Sequence, residues 1–499
     1  MAHRTKRWFD LEHDARHILK ELDQLAMSNT AYDTAWVARV PSNNGDSDLA
    51  FPEALDWLRR NQYSNGSWGA RLEYYHDLII SSLAAIVALA GCGNGSKQDR
   101  EAIQRGENYI KQNIQSLHYD PFETVGFELI LPTMLEKAKQ LGLDLPYDEC
   151  RRFNRIREAK LGLIPERLLY SRQVTTTHSL EFMGNQLDFA QIAELQEKNG
   201  SFGNSPSATA YFLVECQENL HARQYLEQIM AIGEGAAMPA YPTEIFNKSW
   251  VLYNFDLAGL LAELRKEAKS HLDDLYKAWD PERGVGFSQQ YSVPDLDDTA
   301  VVFKLLYQAG YNVDPAVFHF YERNTHFACY PYERNPSVGA HVHLLDALHT
   351  CSDYKHQPKM VEKALSFYRT QLRNALWFDK WHISPYYAMS HAIIATIGYD
   401  NELARRMINC ITHTQRQDGS WGYFGSTSEE TAYCLQALIL YHRQVELMDR
   451  PVLYHAAQYL YNQYGSQHHP PLWIEKSLYT PPHIVRSVIV SALRMYETL

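Results

Sequence analysis

Trp57-LRRNQYSNGSWG, Leu195-QEKNGSFG and Thr412-HTQRQDGSWGYF are three copies of one short unit. Each places a glutamine at a helix end (Gln62, Gln196, Gln415), then a glycine (Gly66, Gly200, Gly419), then an aromatic (Trp68, Phe202, Trp421). The glycine permits a tight turn, and the glutamine amide can bond turn backbone while the aromatic packs against it. A looser echo is Trp279-DPERGVGF. The segments between read at helical spacing. Residues 7–25 set Phe9, Leu11, Ile18, Leu19, Leu22 and Leu25 mostly on one face, and 101–117, 125–141 and 361–372 behave alike. Strand-like alternation is scarce, and short Gly/Asn/Asp/Pro clusters part the helices. The pattern predicts an all-α chain whose helix pairs bury their faces on one another in a ring or solenoid.

Working outward, 499 residues with 45% hydrophobic and 12% aromatic content suffice for two sizeable cores. The net charge of −12 leaves no basic surplus for nucleic acid. Seven scattered cysteines form no CxxC and no zinc or disulfide spacing, which points to a reducing, cytoplasmic setting. The opening MAHRTKRWFDLEHD turns acidic before an apolar core can form, unlike a secretory signal. The apolar run 78–90 contains two serines and reads as a buried helix too short to span a bilayer, so no stable membrane insertion is expected. Gly91-CGNGS follows a helix and lacks the lysine of a phosphate-binding P-loop.

The segment that carries chemistry is Val293-PDLDDTAVVFKLL. One or two acids before an apolar helix serve as an N-cap and a dipole partner. Here Asp295, Asp297 and Asp298 crowd into four residues. Three carboxylates so close cannot all ionise cheaply, and burial pushes the same way. A carboxyl that keeps its proton in an aromatic pocket is a Brønsted acid.

Asp-Leu-Asp-Asp-Thr-Ala resembles the D-x-D-D-T-A motif of class II terpene cyclases, and Ser28-NTAYDTAWVA resembles a block of the bacterial and plant diterpene cyclases of the copalyl type. Further resemblances follow in order at Asn65-GSWG, Tyr75-HDLIISSLAA, Val125-GFELILPTMLE, Lys160-LGLIPERLL, His178-SLE, Ser205-PSATAY, Asp379-KWH and Leu472-WIEKSLY, covering nearly the whole chain. The resemblance implies two α/α-barrel (α-toroid) domains, the βγ architecture. An inserted γ domain is expected at residues 30–235, and a β domain at 1–29 plus 236–499 carrying the acid motif.

The resemblance also implies roles. Asp297 is the proton donor, with Asp295 and Asp298 tuning or reloading it, and His343 on a neighbouring helix orients it. The substrate implied is geranylgeranyl diphosphate, its diphosphate retained and bound with Mg2+ through Asp120 and Glu123, with Lys160 and Lys476 as phosphate contacts. His118 and Tyr119 stand where acids are often found in this family. Candidates for facing the cations are Trp377, Trp381, Tyr386, Tyr387, Trp421 and Tyr433. His178 matches a residue that takes part in the final deprotonation in plant ent-copalyl enzymes. Pro239 replaces its asparagine partner, which favours a rearranged halimadane- or kolavenyl-type skeleton. Asp273-Asp274 is followed by LYKAW, without the third acid of the class I motif, so a downstream class I synthase or a phosphatase is the implied pathway partner.

Three other readings compete. Squalene–hopene cyclases resemble the chain at the acid motif but are longer and carry a membrane-docking segment. A non-catalytic toroid would not need three clustered aspartates. An α/α-barrel glycosidase would use paired carboxylates, but the matched blocks argue against it.

Overall fold

A computed structural model describes residues 9–23, 27–42, 49–184, 188–333, 335–373 and 378–499. Two separate apolar cores organise it. One spans Ala31 to Ala237. The other unites Leu11–Met27 with Met238–Met495. The second domain thus takes its first helix, Leu11–Glu21, from before the first domain and the rest from after it.

In the γ domain, helices α1 (Ala31–Val37), α2 (Tyr75–Cys92), α3 (Phe127–Gln140), a 3-10 segment at Thr175–Met183 and α4 (Pro206–Glu215) pack in that order, and α4 returns to α1 to close the ring. In the β domain the ring is α5 (Glu244–Leu257), α6 (Leu296–Gln308), α7 (Val338–Leu348), α8 (Pro385–Thr396), α9 (Ser428–Gln444) and α10 (Pro482–Glu497), with α10 packed back on α5. The helices Lys97–Asn113, Gln357–Arg373, Asn401–His413 and Arg450–Gln463 lie outside these rings. Each domain is therefore a toroid. The helix α2 is longer than the apolar run 78–90 and is apolar enough to cross a bilayer, but it is wrapped by α1, α3 and Lys97–Asn113.

The repeated unit is the clip at the ends of these hairpins. Gln62 Nε2 donates to the carbonyls of Gly66 (3.0 Å) and Ala102 (2.8 Å). Gln415 Nε2 does the same to Gly419 (2.9 Å) and Val452 (3.0 Å). Gln196 donates to Gly200 (2.8 Å) and bonds Asn219 across the turn (3.1 Å). Trp68 and Trp421 each donate their indole N–H to a carbonyl of the preceding helix at 2.8 Å, Leu58 and Ile411. Trp421 is thus a fully buried structural residue that does not face a substrate, which corrects its expected role.

Among the described residues the only strands are Trp473–Ile474 and Leu478–Tyr479, an antiparallel pair in the register Trp473↔Tyr479 and Ile474↔Leu478. The turn between them reaches from the β domain into the γ domain. There Glu475 O accepts from Val125 N and Asp77 Oδ1 accepts from Leu478 N, both at 2.9 Å.

Gly419 adopts φ +87°, and a Cβ there would lie 2.4 Å from the His455 carbonyl oxygen. Gly310 has φ +83° with open space around it. Gly419→Ala is expected to destabilise the β domain by about 2 kcal/mol or more, and Gly310→Ala by about 1, the backbone penalty alone. Thermal melts check this, and equal losses at the two positions would contradict the clip.

Candidate active site

The acid motif sits where an extended strand of chain turns into α6. Asp295 is the N-cap (φ −134°, ψ 155°), and its Oδ1 accepts from Asp298 N at 2.8 Å. Cys329 O and Val285 O hold the backbone N–H groups of Leu296 and Asp295 at 2.9 and 3.0 Å. This geometry turns Asp295 and Asp298 inward and leaves Asp297 on the first turn as the only one of the three that is partly open. Burial raises the Asp295 carboxyl to about 7, with the Asp297 charge adding to it against the bonds donated by Asp298. Asp298 is pushed well above the carboxylate range by burial and then by the charges of Asp295 and Asp297. Asp295 and Asp298 are therefore both pushed toward their protonated forms.

His343 on α7 meets this cluster. Its Nδ1 lies 2.5 Å from Asp297 Oδ1, and its ring stands edge-on to Trp250, centroids 4.6 Å apart. The start of α7 is pinned by Asp379, whose Oδ1 accepts from Ser337 Oγ (2.8 Å) and Gly339 N (3.0 Å). Behind His343 stands a box of rings from α5, α8 and α9. Tyr253, Tyr387 and Tyr433 surround His391, whose centroid is 4.4 Å from Tyr387 and 5.1 Å from Tyr433. His382 stacks on Tyr387 at 4.5 Å and bonds Glu429, which also accepts from Trp473 Nε1 at 2.8 Å. Trp381 stands on the acid side, edge-on to Tyr330 at 5.8 Å, with the Lys380 ammonium 4.9 Å over its face.

Between the domains, His178 is fully engaged. Its Nδ1 bonds Gly203 O at 2.7 Å and its Nε2 bonds Glu475 Oε1 at 2.5 Å. Lys476 is buried, with Nζ bonded to Ser205 Oγ (2.7 Å), Ser207 Oγ (2.8 Å) and Glu181 Oε1 (2.8 Å). Glu181 also accepts from Tyr32 OH at 2.9 Å.

The acids at the γ edge form a second cluster. Asp120 Oδ2 accepts from His76 N and faces His76 Nδ1, both at 2.7 Å. Lys160 Nζ lies 2.9 Å from Glu123 Oε1 and also bonds Glu128. Burial raises the Glu123 carboxyl, opposed by the Lys160 charge, and its buried Oε2 has no partner. Asp120 and Glu123 both bear on Tyr74, so the two acids share one neighbourhood. Mg2+ takes few protein carboxylates and completes its shell with water and phosphate oxygens. A carboxylate oxygen without a partner beside a lysine fits such an ion and a diphosphate together.

Residues 188–392 match the terpene synthase N-terminal domain family. The chain is 35% identical to the type B diterpene cyclase of Mycobacterium tuberculosis over 94% of its own length and 96% of that protein's. The chain belongs to the class II diterpene cyclases. The ent-copalyl diphosphate synthase of Streptomyces platensis superposes on this cyclase with a TM-score of 0.79 at 25% identity, covering 98% of this chain and 99% of the other. The Arabidopsis thaliana ent-copalyl diphosphate synthase gives 0.74 at 26% identity. It matches 97% of the cyclase, which spans 62% of that longer chain.

In the cyclase, Asp295, Asp297, Asp298 and His343 come together as one cluster. Other expected residues do not join it. Lys476 is spent on Glu181 and two serines inside the interdomain contact, which leaves no ammonium for a phosphate. Tyr386 turns toward Thr414 and Arg416, and its neighbour Tyr387 takes the place beside His391 and His343. His178 has no free ring nitrogen. Trp377 lies outside the described residues. Reading the sequence did not find Trp250 or His391, each a single residue on a helix with no motif around it, and Glu128 was visible only inside the quoted block Val125-GFELILPTMLE. Glu475 was visible only as part of a quoted block.

Because folding favours the protonated form of Asp295, its neutral state prevails below about pH 7 and is lost as pH rises through that value. Ionisation would remove the neutral Asp295 carboxyl from the cluster around the acid. Initial rates are expected to fall as pH rises through about 7, and Asp295→Asn is expected to flatten that fall. A wild-type rate independent of pH across the neutral range would contradict this.

Proposed function

We propose that this cyclase converts geranylgeranyl diphosphate to a bicyclic diterpenyl diphosphate by protonation, leaving the diphosphate in place. The observation that carries the reading is Asp297, the one partly open acid of three, held by His343 at 2.5 Å. Asp297 gives its proton to the terminal alkene, whose electron pair forms the new C–H bond and leaves a tertiary cation. Two further alkenes attack in turn and close two rings, and loss of a proton ends the sequence. Tyr387, Trp381 and Trp250 offer π faces and edges near the acid, and their packing excludes water that would quench a cation. The carbon–oxygen bond to the diphosphate stays intact. Asp273 is tied to Lys269 and Tyr311, and Asp274 to Lys248, on an exposed helix, so these acids are committed to lysines and a tyrosine.

Asp120 and Glu123 would hold Mg2+, with Lys160 contacting the phosphates; the ion would neutralise the diphosphate. A bicyclic diphosphate is a substrate for an enzyme that ionises or hydrolyses it, so a class I synthase or a phosphatase is the expected partner.

The test is incubation with geranylgeranyl diphosphate and Mg2+, phosphatase treatment and mass-spectral analysis of the alcohol. Asp297→Asn is expected to abolish cyclisation while remaining folded, and wild-type turnover is expected to release no pyrophosphate. Turnover by the Asn variant, or stoichiometric pyrophosphate, would overturn the reading.

The rearranged skeleton is favoured by His178, whose two ring nitrogens are both engaged while Pro239 has no side-chain donor or acceptor. Without a prompt base, the bicyclic cation persists long enough for hydride and methyl shifts. A halimadane- or kolavenyl-type alcohol is expected after dephosphorylation, and unrearranged copalol as the main product would refute the preference.

A further inference from the structure

Glu429 and Glu430 lie side by side in the first turn of α9, where the helix dipole supports an anion, but their surroundings differ. Glu430 takes the local bonds of the helix start, from Tyr423 N at 2.8 Å and Thr427 Oγ1 at 2.7 Å, and one from Ser384. Glu429 turns into the box of rings, with its side chain fully buried. Its Oε1 accepts from Trp473 Nε1 at 2.8 Å. Ser384 N donates to His382 Nδ1 at 3.1 Å, so the proton of that ring is on Nε2, which donates to the same Oε1 at 3.3 Å. His382 is therefore neutral. Two N–H donors on one oxygen suit a carboxylate, which only accepts. The second oxygen, Oε2, is buried without a partner.

Among the described residues no lysine or arginine pairs with Glu429. The other titratable groups in its field are Tyr433, Tyr479 and His469. Burial and then the Glu429 charge raise the Tyr433 hydroxyl. Burial, with the charges of Glu475, Asp298 and Glu429, raises that of Tyr479. Desolvation holds His469 below the usual histidine range against the Glu429 charge. A buried carboxylate with no cation of its own is costly, and such groups concentrate at functional sites. The rings it touches lead back to the acid. Trp473 stands 5.2 Å from Tyr387 and 6.0 Å from Trp250, and Trp250 is 4.6 Å from His343, which holds Asp297. Acid and carboxylate thus end one run of rings. Ring closure moves the positive charge along the substrate chain, away from the carbon that took the proton, while Asp297 is left as a carboxylate that pulls it back. We propose that Glu429 is the counter-charge for the migrating carbocation, a positioning residue that acts through its field and through the Trp473 ring it polarises. It takes no proton and touches no substrate atom.

The proposal rests on the protonation reading above, and a binding measurement separates the two. Glu429→Gln removes the charge and keeps an oxygen that can accept from Trp473 and His382. Because the substrate carries no cation before protonation, this variant is expected to lower kcat at least about tenfold with KM unchanged. The probes are a tertiary-ammonium analogue of the bicyclic cation and its uncharged carbon isostere. Glu429→Gln is expected to weaken the ammonium analogue at least about tenfold and the isostere less than about twofold. Glu429→Asp and Glu429→Asn form a second pair that differs in charge alone, and it serves if the Gln variant does not fold. The Asp variant is expected to bind the ammonium analogue at least about tenfold more tightly than the Asn variant. Equal weakening of both probes, or wild-type kcat in the Gln variant, overturns the role of Glu429. Turnover by Asp297→Asn, measured alongside, would instead overturn the protonation reading, since the binding of the two probes involves no proton transfer.

Discussion

The contact between the two toroids depends on one buried cation. Lys476 carries its ammonium from the β domain into the γ domain, and Glu181 with two serines receives it. A buried ion pair of this kind stabilises little on balance, but breaking it leaves an isolated charge at a cost of about 3–5 kcal/mol. Its value lies in registry, because only one docking of the two domains satisfies both partners. The same hairpin turn sends Glu475 to His178, and His178 stands edge-on to Phe287 and Tyr291 on the segment leading to the acid motif. The docking and the acid are thus a few residues apart.

At the acid, the controlling quantity is charge density. Asp295 serves α6 as an ordinary N-cap, yet burial and the neighbouring Asp297 charge make its ionisation expensive, against the bonds donated by Asp298. The helix start therefore does two things at once. It satisfies a buried backbone N–H that the helix itself leaves unpaired, and it assembles carboxyls that keep protons where an isolated aspartate would not. The residue left partly open is the one that His343 can reach. Lys380, partly buried and lowered by desolvation, lies within the fields of Asp297 and Asp295 and keeps the site from being uniformly anionic.

The helical class, the glutamine–glycine–aromatic clips and the acid triplet were legible because each is local. A turn needs its glycine, and three adjacent carboxyls crowd wherever they are placed. His343 became legible through a resemblance to known cyclases rather than from its own surroundings in the sequence. What stayed hidden depends on which face of a helix turns inward. Tyr386 and Tyr387 are neighbours in sequence, and only the second faces the box around His391. Lys476 reads as any lysine until the hairpin carries it between domains. Trp421 looks like a cation-facing aromatic until its N–H is seen to be committed to Ile411.

The insertion of one toroid inside the other orders the events of synthesis. The γ core is contiguous in sequence, so it can close as soon as Ala237 has left the ribosome. The helix Leu11–Glu21 emerges before it but has its partners in the helix Arg265–Ala278, where His271 bonds Leu19 O at 2.9 Å, and in α10, where Arg486 meets Glu21 at 2.8 Å. That amphipathic helix must wait for the first of these through the whole γ domain, and part of its apolar face stays uncovered until α10 is made. A cell producing this enzyme therefore carries a nascent species with one finished toroid and one sticky end, and holdase chaperones have a defined segment to protect until α10 arrives.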